Sequence, residues 1–211
     1  MLRLSLGPAG MLWWGLRRIV ERWSPSDSEL MLELRRGSGR ALGALYDRHG
    51  PRLYSYLARL AGRDAAEDLA QETFMRVLKS RDSFDDSQSF TSWFYTIATN
   101  AARTHLARSA AAAAGIASFA ESGGSSATDP PGGAVGPLEA ATYSERADLV
   151  RAALDRLDAA EREVVLLRHY EGLKFREIAD VTGANLSTVK SKMRYALDKL
   201  SRMLGNIDHG L

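Results

Sequence analysis

"FREIADVTGANLSTVKSKMRYALDKL", residues 175–200, is the stretch that decides the fold of this chain. Its apolar residues recur every three or four positions before and after a glycine, which predicts two amphipathic helices joined by a tight turn. Gly183 lies four residues after the small Ala179, where such a turn needs a left-handed backbone. We expect Ser187 to be the N-cap of the second helix. The pattern therefore predicts a helix-turn-helix.

The second of these helices carries positive charge at an end where the helix dipole is already positive. From Ser187 to Arg202 there are five basic residues and one acidic residue. With about 100° of rotation per residue, the side predicted to face the core consists of Val189, Met193, Ala196, Leu197 and Leu200. The outward side consists of Ser187, Ser191, Arg194 and Tyr195, with Lys190 and Lys192 on its flanks. Outward polar groups suit base edges and flanking lysines suit phosphates, although a solvated basic helix of an ordinary bundle has the same period.

The composition limits the kinds of chemistry that the chain can carry. It has 211 residues, 45% of them hydrophobic, a formal net charge of +2 and a sequence pI near 9.0. A nucleic-acid binder of this composition must concentrate its positive charge locally. The absence of cysteine excludes disulfides and thiolate metal sites, and is compatible with an intracellular protein. The four histidines have no metal-ligand spacing, so we expect neither a metal nor another cofactor.

A segment without basic residues divides the chain. Residues 109–142 contain no lysine or arginine and are rich in alanine, glycine, serine and proline. Such a stretch buries too little apolar area to offset its ordering entropy, so it predicts a flexible linker whose first alanines extend the preceding helix to about Gly115. The halves on either side, 27–108 and 143–204, show no strand alternation and predict an all-α protein of two small helical domains. Residues 205–211 form a short tail.

Residues 1–26 are predicted to be a poorly ordered extension, or to contain sequence ahead of a true start at Met11 or Met31. The apolar run from Leu4 to Leu16 has 13 residues and is interrupted by Gly-Pro-Ala-Gly, whereas a membrane span needs about 20 residues. An alternative is an amphipathic segment around Trp13 and Trp14 that contacts a membrane or a partner protein.

Residues 65–80 in the first half predict an amphipathic helix. Its predicted core stripe is Ala66, Leu69, Ala70, Thr73, Phe74, Val77 and Leu78. The opposite face carries Asp68, Gln71, Glu72 and Met75. Composition alone leaves two interpretations of this face open, a solvated surface and a surface that binds a partner.

Residues 89–108 predict a second helix, which follows a polar loop at residues 83–88. Its predicted buried side is Phe90, Phe94, Ile97, Ala98 and Ala101, and Trp93 and Tyr95 flank that side with Asn100, Arg103 and Arg108 further along. Aromatic rings stack on unpaired bases and arginines hold phosphates, so this face suits single-stranded nucleic acid. The alternative is that the aromatic residues belong only to the core.

Together these segments resemble a known family. "DAAEDLAQETFMRV" (64–77), "SFTSWFYTIATNAARTHLAR" (89–108) and "REIADVTGANLSTVKSKMRYALDKL" (176–200) are similar to blocks of the bacterial extracytoplasmic-function (ECF) sigma factors, in the sigma-70 family. "LGALYDRHGPRLYSYLARL" (42–60) is similar to the opening helix of the family's first domain. The resemblance covers residues 27–108 and 143–204 in the family's order.

The resemblance implies an all-α protein of two domains that has no enzymatic activity and directs core RNA polymerase to promoters. Residues 27–108 look like sigma region 2, which in the family melts and reads the −10 element on the non-template strand. Residues 143–204 look like sigma region 4, which reads the −35 element. Thr182 departs from the family's pattern because a large apolar residue is usual there, and residues 1–26 have no counterpart.

The resemblance also implies which residues bind each partner. The contact with core polymerase falls on Asp68, Gln71, Glu72 and Met75. Reading of the −10 element falls on Asp86, Ser87, Ser89, Thr91, Trp93, Tyr95, Asn100 and Arg103, with base capture in the loop 85–89. Reading of the −35 element falls on Arg176, Ser187, Thr188, Lys190, Ser191, Lys192 and Arg194.

The implied partners are core RNA polymerase (its β′ clamp helices and β flap), promoter DNA and an anti-sigma factor, with no small-molecule substrate. The implied location is the cytoplasm, with nucleoid association in the holoenzyme. Two alternatives remain open from the sequence: a stand-alone helix-turn-helix regulator that does not join polymerase, and a membrane-tethered adaptor that uses the Trp13–Trp14 segment.

Overall fold

The computed structural model describes residues 25–115 and 149–205, and every regular element in these two ranges is a helix. The first range contains α1 (Asp27–Arg35), α2 (Gly39–Ala61), α3 (Arg63–Lys79), a 3₁₀ turn (Arg81–Ser83) and α4 (Phe90–Gly115). The second range contains α5 (149–155), α6 (Ala159–His169), α7 (Phe175–Thr182) and α8 (Leu186–Gly205). The predicted all-α class is confirmed.

Helix α3 enters the core of the first half through its predicted stripe, of which Ala66, Leu69, Ala70, Thr73, Phe74 and Val77 are buried and Leu78 is half-buried. The hydroxyl of Thr73 is satisfied because it donates to the carbonyl of Leu69 at 2.7 Å. The ring of Phe74 lies 5.0 Å from that of Tyr46 in α2 and 5.4 Å from that of Phe94 in α4. One stripe therefore joins α2, α3 and α4.

Capping boxes define the start of two helices. Ser26 accepts the amide of Glu29 at the start of α1, and the Glu29 carboxylate accepts the amide of Ser26 in return. Asp158 and Glu161 make the same reciprocal pair at the start of α6. The Glu161 carboxylate also pairs with Lys199 of α8 at 2.6 Å, so the start of α6 is tied to the last turns of α8.

The helix-turn-helix is formed by α7 and α8. Gly183 adopts the predicted left-handed conformation, with φ 69° and ψ 15°, and ends α7. The predicted cap at Ser187 is wrong, because α8 begins at Leu186 and the side chain of Asn185 accepts the amide of Thr188 at 2.8 Å. Asn185 is the residue that precedes the first turn, so its oxygen reaches that amide, and Ser187 already lies inside the helix.

The predicted inward side of α8 is only partly in the core. Val189, Met193 and Ala196 are buried and Leu200 is half-buried, but Leu197 is 47% exposed, which corrects its assignment to the core. The reason is that the last turns of α8 border an apolar groove that no other described helix fills. The groove is lined by Val150, Leu154, Val165, His169, Tyr170, Leu197, Leu200, Ser201 and Leu204.

Helix α4 continues to Gly115, which confirms that the alanines extend it beyond residue 108. The predictions for residues 1–24, for the remaining linker within 116–148 and for the tail at 206–211 lie outside the described residues. Within residues 25–115 and 149–205, no helix is long and apolar enough to cross a membrane.

The two halves of the chain are in contact, which the sequence did not predict. Helix α4 packs against α7, and α2 packs against α6. The buried side chains of both halves form one continuous apolar cluster, which runs from Leu30 in α1 to Ala196 in α8. Two of the predicted nucleic-acid residues, Tyr95 and Arg103, take part in this contact.

Candidate nucleic-acid interface

The outward side of α8 is open to solvent along the first half of the helix. Ser187, Lys190, Ser191 and Arg194 are exposed, and Tyr195 beside them is 53% exposed. The Arg194 guanidinium lies 5.2 Å from the centre of the Tyr195 ring, which holds it on the outer surface. Arginine and serine side chains on an exposed helix are the groups that donate to and accept from base edges in the major groove.

The rest of the predicted −35 set lies around this surface. Thr188 and Lys192 are half-buried, and Arg176 is exposed on α7. Lys192 lies near Asp158 at the start of α6. Partial burial tends to raise the pKa of the Asp158 carboxyl, but the amide of Glu161 and the charge of Lys192 together lower it. Lys192 therefore has a carboxylate nearby, whereas Lys190 is exposed on the opposite flank of α8.

The loop before α4 has a defined shape. The Asp85 side chain accepts the amide of Ser87 at 2.9 Å, and the amide of Gln88 donates to the Asp85 carbonyl at 3.0 Å. The amide of Ser87 also lowers the pKa of the Asp85 carboxyl below its usual value. Arg35 of α1 lies 3.9 Å from the carboxylate of Asp86, so the loop is held towards α1. The predicted residues Asp86, Ser87 and Ser89 are exposed on this loop.

Trp93 lies where the loop meets α4. Its ring is half-buried, with centroids 5.1 Å from Phe84 and 6.1 Å from Phe90. Thr91 is half-buried two residues earlier on the helix, and Asn100 is exposed two turns later. Trp93 thus has an aromatic support beneath it and an outer surface on which a base can stack.

Tyr95 and Arg103 are placed differently from the rest of the predicted −10 set. Tyr95 is only 1% exposed, and its hydroxyl donates to the carboxylate of Glu171 in the second half. Arg103 donates to both carboxylate oxygens of Glu163 in α6, at 2.8 and 2.9 Å. In this arrangement the core interpretation of Tyr95 holds, and the Arg103 guanidinium is paired with Glu163 although its side chain is 43% exposed.

The face predicted to bind core polymerase is exposed as a unit on α3. Asp68, Gln71, Glu72 and Met75 all face solvent, and Met75 is 51% exposed. Glu72 pairs with Arg76 one turn later at 2.5 Å, an exposed pair that contributes little to stability. An exposed methionine among acids and an amide is a surface with an apolar centre and a polar rim, which is typical of protein contacts.

The apolar groove beside α8 was missed as a site by the sequence argument. Its signal was present in the spacing of Leu197, Leu200 and Leu204, which continues the apolar stripe past the end of the core. Projection of a single helix places Leu197 on the inward side, because it cannot show where the neighbouring helices end.

No cluster of three or more histidine, aspartate or glutamate side chains that could hold a metal occurs in the part of the chain that the structure describes.

Comparisons with known proteins identify the chain. Two family models match it, Sigma-70 region 2 over residues 45–112 and Sigma-70, region 4 over residues 147–200. The RNA polymerase sigma factor CarQ of Myxococcus xanthus is 32% identical over 182 residues, which are 84% of this chain and 97% of CarQ. Several further relatives carry the name ECF RNA polymerase sigma factor.

The chain belongs to the ECF group of the sigma-70 family. It is an RNA polymerase sigma factor that binds core polymerase and promoter DNA and acts in transcription initiation. The alternative of a stand-alone helix-turn-helix regulator is wrong, because the first half matches region 2 and CarQ aligns across both halves. The membrane-tethered alternative depends on Trp13 and Trp14, which lie outside the described residues.

Solved structures of sigma factors share this fold. CnrH, a sigma factor of Cupriavidus metallidurans solved in complex with the cytosolic domain of CnrY, aligns with a TM-score of 0.62 and 25% identity over 86% of this chain and 99% of CnrH. RpoE of Bartonella quintana, solved in complex with the anti-sigma factor NepR, aligns with a TM-score of 0.60 and 26% identity over 74% of this chain and 91% of RpoE.

Proposed function

We propose that this sigma factor reads the −35 element with the exposed side of α8 and the −10 element with the loop 85–89 and α4. The observation that carries the proposal is the open basic surface of α8, in which Arg194, Ser191 and Lys190 face solvent together. The proposed −35 set is Arg176, Ser187, Thr188, Lys190, Ser191, Lys192 and Arg194.

Within α8 the side chains divide by role. Arg194 and Ser191 lie on the outward side and supply the base contacts, because a guanidinium donates two hydrogen bonds to one guanine edge. Lys190 lies on a flank and supplies a phosphate contact, which adds affinity for any sequence. The electropositive start of the helix adds a further attraction for phosphate.

For the −10 element, the proposed set is Asp86, Ser87, Ser89, Thr91, Trp93, Tyr95, Asn100 and Arg103. Trp93 is the stacking platform, since Phe84 and Phe90 support its ring from below. Unstacking a base costs a few kcal/mol, and stacking on a protein ring returns about 1–3 kcal/mol per base. Promoter melting is then driven by binding energy, and the polymerase supplies the chemistry while the sigma factor has no catalytic activity and no cofactor of its own.

Two surfaces are proposed to bind core polymerase. Asp68, Gln71, Glu72 and Met75 of α3 contact the β′ clamp helices. The apolar groove along α8 receives the β flap, because Leu197 is exposed, Leu200 and Leu204 are half-buried, and no described helix covers them. Contact at both surfaces would hold regions 2 and 4 at the separation of the two promoter elements.

Regulation and location are proposed by analogy with the relatives. RpoE was solved with the anti-sigma factor NepR, and by analogy we propose an anti-sigma factor as a partner of this chain. The protein acts in the cytoplasm on chromosomal promoters, with no small-molecule substrate. We also retain the division into region 2 at 27–108, linker at 109–142 and region 4 at 143–204 as the working domain boundaries.

Run-off transcription tests the proposal directly. Purified bacterial core polymerase is assayed with and without this protein on fragments of the source genome. Discrete transcripts that require the protein, with −35 and −10 elements mapped upstream of their starts, are the expected result. If transcripts are absent while core polymerase remains bound, the assignment of the reading surfaces fails.

A further inference from the structure

Arg35, the last residue of α1, contacts the segment of chain that leads into the loop 85–89. Its Nε atom donates to the carbonyl of Arg81 at 2.8 Å, a half-buried hydrogen bond between residues 46 positions apart. Its Nη1 atom lies 3.9 Å from the carboxylate of Asp86, and its guanidinium carbon lies 6.0 Å from the centre of the Phe84 ring. One side chain of α1 therefore reaches three residues at the start of this loop.

The backbone that carries Arg35 is fixed by the core. Leu30, Met31 and Leu34 of α1 are buried. The helix ends in a tight turn, in which the amide of Gly37 donates to the carbonyl of Leu34 at 3.0 Å and Gly37 has φ 90°. The helix also packs against the 3₁₀ turn that precedes the loop. Arg35 therefore extends from a rigid support, which a side chain needs if it is to orient a binding group.

The hydrogen bonds inside the loop 85–89 fix its shape but not its position. The Asp85 carboxylate accepts the amide of Ser87 at 2.9 Å, and the Asp85 carbonyl accepts the amide of Gln88 at 3.0 Å. These bonds join residues two or three positions apart, so both would survive a movement of the whole loop relative to α4. Contacts with another helix oppose such a movement, and Arg35 supplies contacts of this kind from α1.

The same side chain lies beside the support of the proposed stacking platform. Phe84 is buried, and the centre of its ring lies 5.1 Å from that of Trp93, on which an unpaired base is proposed to stack. Arg35 is thus adjacent both to Asp86 in the loop and to the ring beneath Trp93. It is placed to fix the loop and the platform relative to each other.

These contacts act on geometry more than on stability. The side chains of Arg35 and Asp86 are 26% and 44% exposed, and an ion pair with this exposure contributes little to the free energy of unfolding. Discrimination between bases depends instead on donors and acceptors that are held within about 0.5 Å of the productive position. A weak contact at the right place can therefore have a large effect on selectivity.

We infer that Arg35 is a positioning residue for −10 recognition: from α1 it holds the loop 85–89 and Phe84 in the geometry that accepts the correct base. This inference rests on the proposed −10 function of the loop 85–89 and Trp93. Without Arg35 the loop keeps its turn but loses its fixed position. The correct base then loses well-placed contacts that the other bases never make, so selectivity falls at the captured position while −35 reading is unchanged.

The test uses holoenzyme assembled from the full chain and purified core polymerase. Promoters carry each of the four bases in turn at every position of the −10 element mapped by run-off transcription, and open-complex formation is measured on each. Arg35→Ala is compared with Arg36→Ala, a matched control that removes the same charge one residue later, at an exposed position. Asp85→Ala removes the acceptor of the loop's own turn and reports independently whether the loop reads a base.

We expect Arg35→Ala to lower the preference for the best base about five- to tenfold at one −10 position, within the range that one mismatched base pair costs. Preferences at the other positions and at the −35 element should change about twofold at most, because separate positions contribute independently. Arg36→Ala should behave as wild type. Unchanged selectivity in Arg35→Ala overturns the inference. An equal loss of activity on all promoters also overturns it, because that is the result of a merely structural role.

The double variant Arg35→Ala, Asp85→Ala tests whether Arg35 acts through the loop. If it does, the double variant loses no more selectivity than Asp85→Ala alone, because the two changes disturb one structure. If the two losses multiply, Arg35 contacts DNA by itself and the inference is wrong.

A second variant keeps the test decisive if circular dichroism shows that Arg35→Ala is unfolded. Arg35→Lys keeps the charge but lacks the planar guanidinium that reaches two acceptors, so we expect at least about a twofold loss of selectivity at the same position. Wild-type selectivity in a folded Arg35→Lys protein then overturns the inference.

Failure of the proposed function has a different result. If Asp85→Ala leaves base selectivity unchanged at every −10 position, the loop does not read the −10 element, and both the proposed function of the loop and the role of Arg35 are wrong. If Asp85→Ala lowers selectivity and Arg35→Ala does not, the loop keeps its proposed function and only the role of Arg35 is overturned.

Discussion

The two DNA-reading surfaces of this sigma factor use the same kinds of side chain in opposite states. On α8, Arg194 and Tyr195 lie side by side in solvent. On α4, Arg103 and Tyr95 carry the same chemistry but are bound by Glu163 and Glu171. Residue type and helical position therefore identify a DNA-reading surface. Whether that surface can bind DNA also depends on which residues of the other half of the chain pack against it.

The largest expected effect comes from α7, because this helix lies between the two surfaces and packs against both α4 and α8. Ile178 is fully buried there, and Ile178→Ala should lower the free energy of unfolding by about 2–5 kcal/mol. The free variant should then lose binding to duplex −35 DNA and gain binding to single-stranded −10 DNA. Thermal melting and anisotropy on both probes measure this.

Asp180→Asn on the same helix is the control for that change, since Asp180 is exposed. It should leave the free energy of unfolding within about 0.5 kcal/mol of the wild-type value. If Ile178→Ala lowered both DNA affinities equally, α7 would not affect the two surfaces in opposite directions.

Single substitutions on each surface sharpen the comparison. Arg194→Ala should remove about 1–3 kcal/mol of discrimination between matched and scrambled −35 sites, while Lys190→Ala should weaken both sites alike and lower the salt dependence. Competition binding at two salt concentrations distinguishes them. Equal losses on both sites for Arg194→Ala would show that this side chain is only a phosphate contact.

Trp93→Ala gives the corresponding result for α4. In the holoenzyme it should reduce open-complex formation by about 1–3 kcal/mol, the value of one stacked base. Permanganate footprinting of the −10 region measures the change. In free wild-type protein the same substitution should weaken single-stranded binding less, because Tyr95 on the same helix is buried and adds no stacking surface. A large loss in the free protein would mean that α4 is already open.

A smaller effect is expected at the edge of the contact. Arg59 lies over Tyr170 but belongs to no proposed DNA or polymerase surface. Arg59→Ala should remove a cation–π contact of about 0.5–1 kcal/mol and raise the single-stranded affinity of the free protein two- to fivefold. Arg40→Ala, at an exposed position of α2 outside this contact, is the control and should show no gain.

The smallest effect is that of pH. Burial is the main cause that raises the pKa of the Glu163 and Glu171 carboxyls, despite opposing contacts from Arg103 and Tyr95. Groups whose pKa is raised by the contact between the two halves bind protons when the contact forms, so the contact should be favoured below their ordinary pKa and weaken as pH rises through the raised values. The charged groups that face the two carboxyls are Arg103, Lys192, Arg52, Arg59 and His49.

The measurement for this prediction is single-stranded affinity between pH 5 and 8, compared between wild type and the Glu163→Gln, Glu171→Gln protein. The ratio of the variant's affinity to the wild-type affinity should be closest to one at pH 5, where glutamine resembles the protonated carboxyls, and should fall below one as pH rises. Because His49 is present in both proteins, the ratio isolates the two carboxyls. A ratio that rises with pH would show that the charged Arg103–Glu163 pair dominates the contact.

Much of the fold was readable in the sequence because amphipathic periodicity reports burial on one helix at a time. The stripe of α3, the extension of α4 to Gly115 and the left-handed Gly183 were all predicted and confirmed. The predicted cap at Ser187 was wrong by two residues, since Asn185 has an equally good capping side chain and lies closer to the turn. Competing caps of similar energy cannot be ranked without backbone geometry.

The sequence by itself determined the helices, their apolar sides and the residue types that suit DNA, because these depend on local spacing and side-chain chemistry. Only the tertiary structure decided that Leu197 borders an open groove and that Glu163 and Glu171 meet Arg103 and Tyr95. The physical reason is the separation along the chain of the residues that interact. Helical periodicity is set by neighbours three or four residues apart, whereas these contacts join residues 60 and 76 positions apart across a segment whose composition carries no information about where the two halves meet.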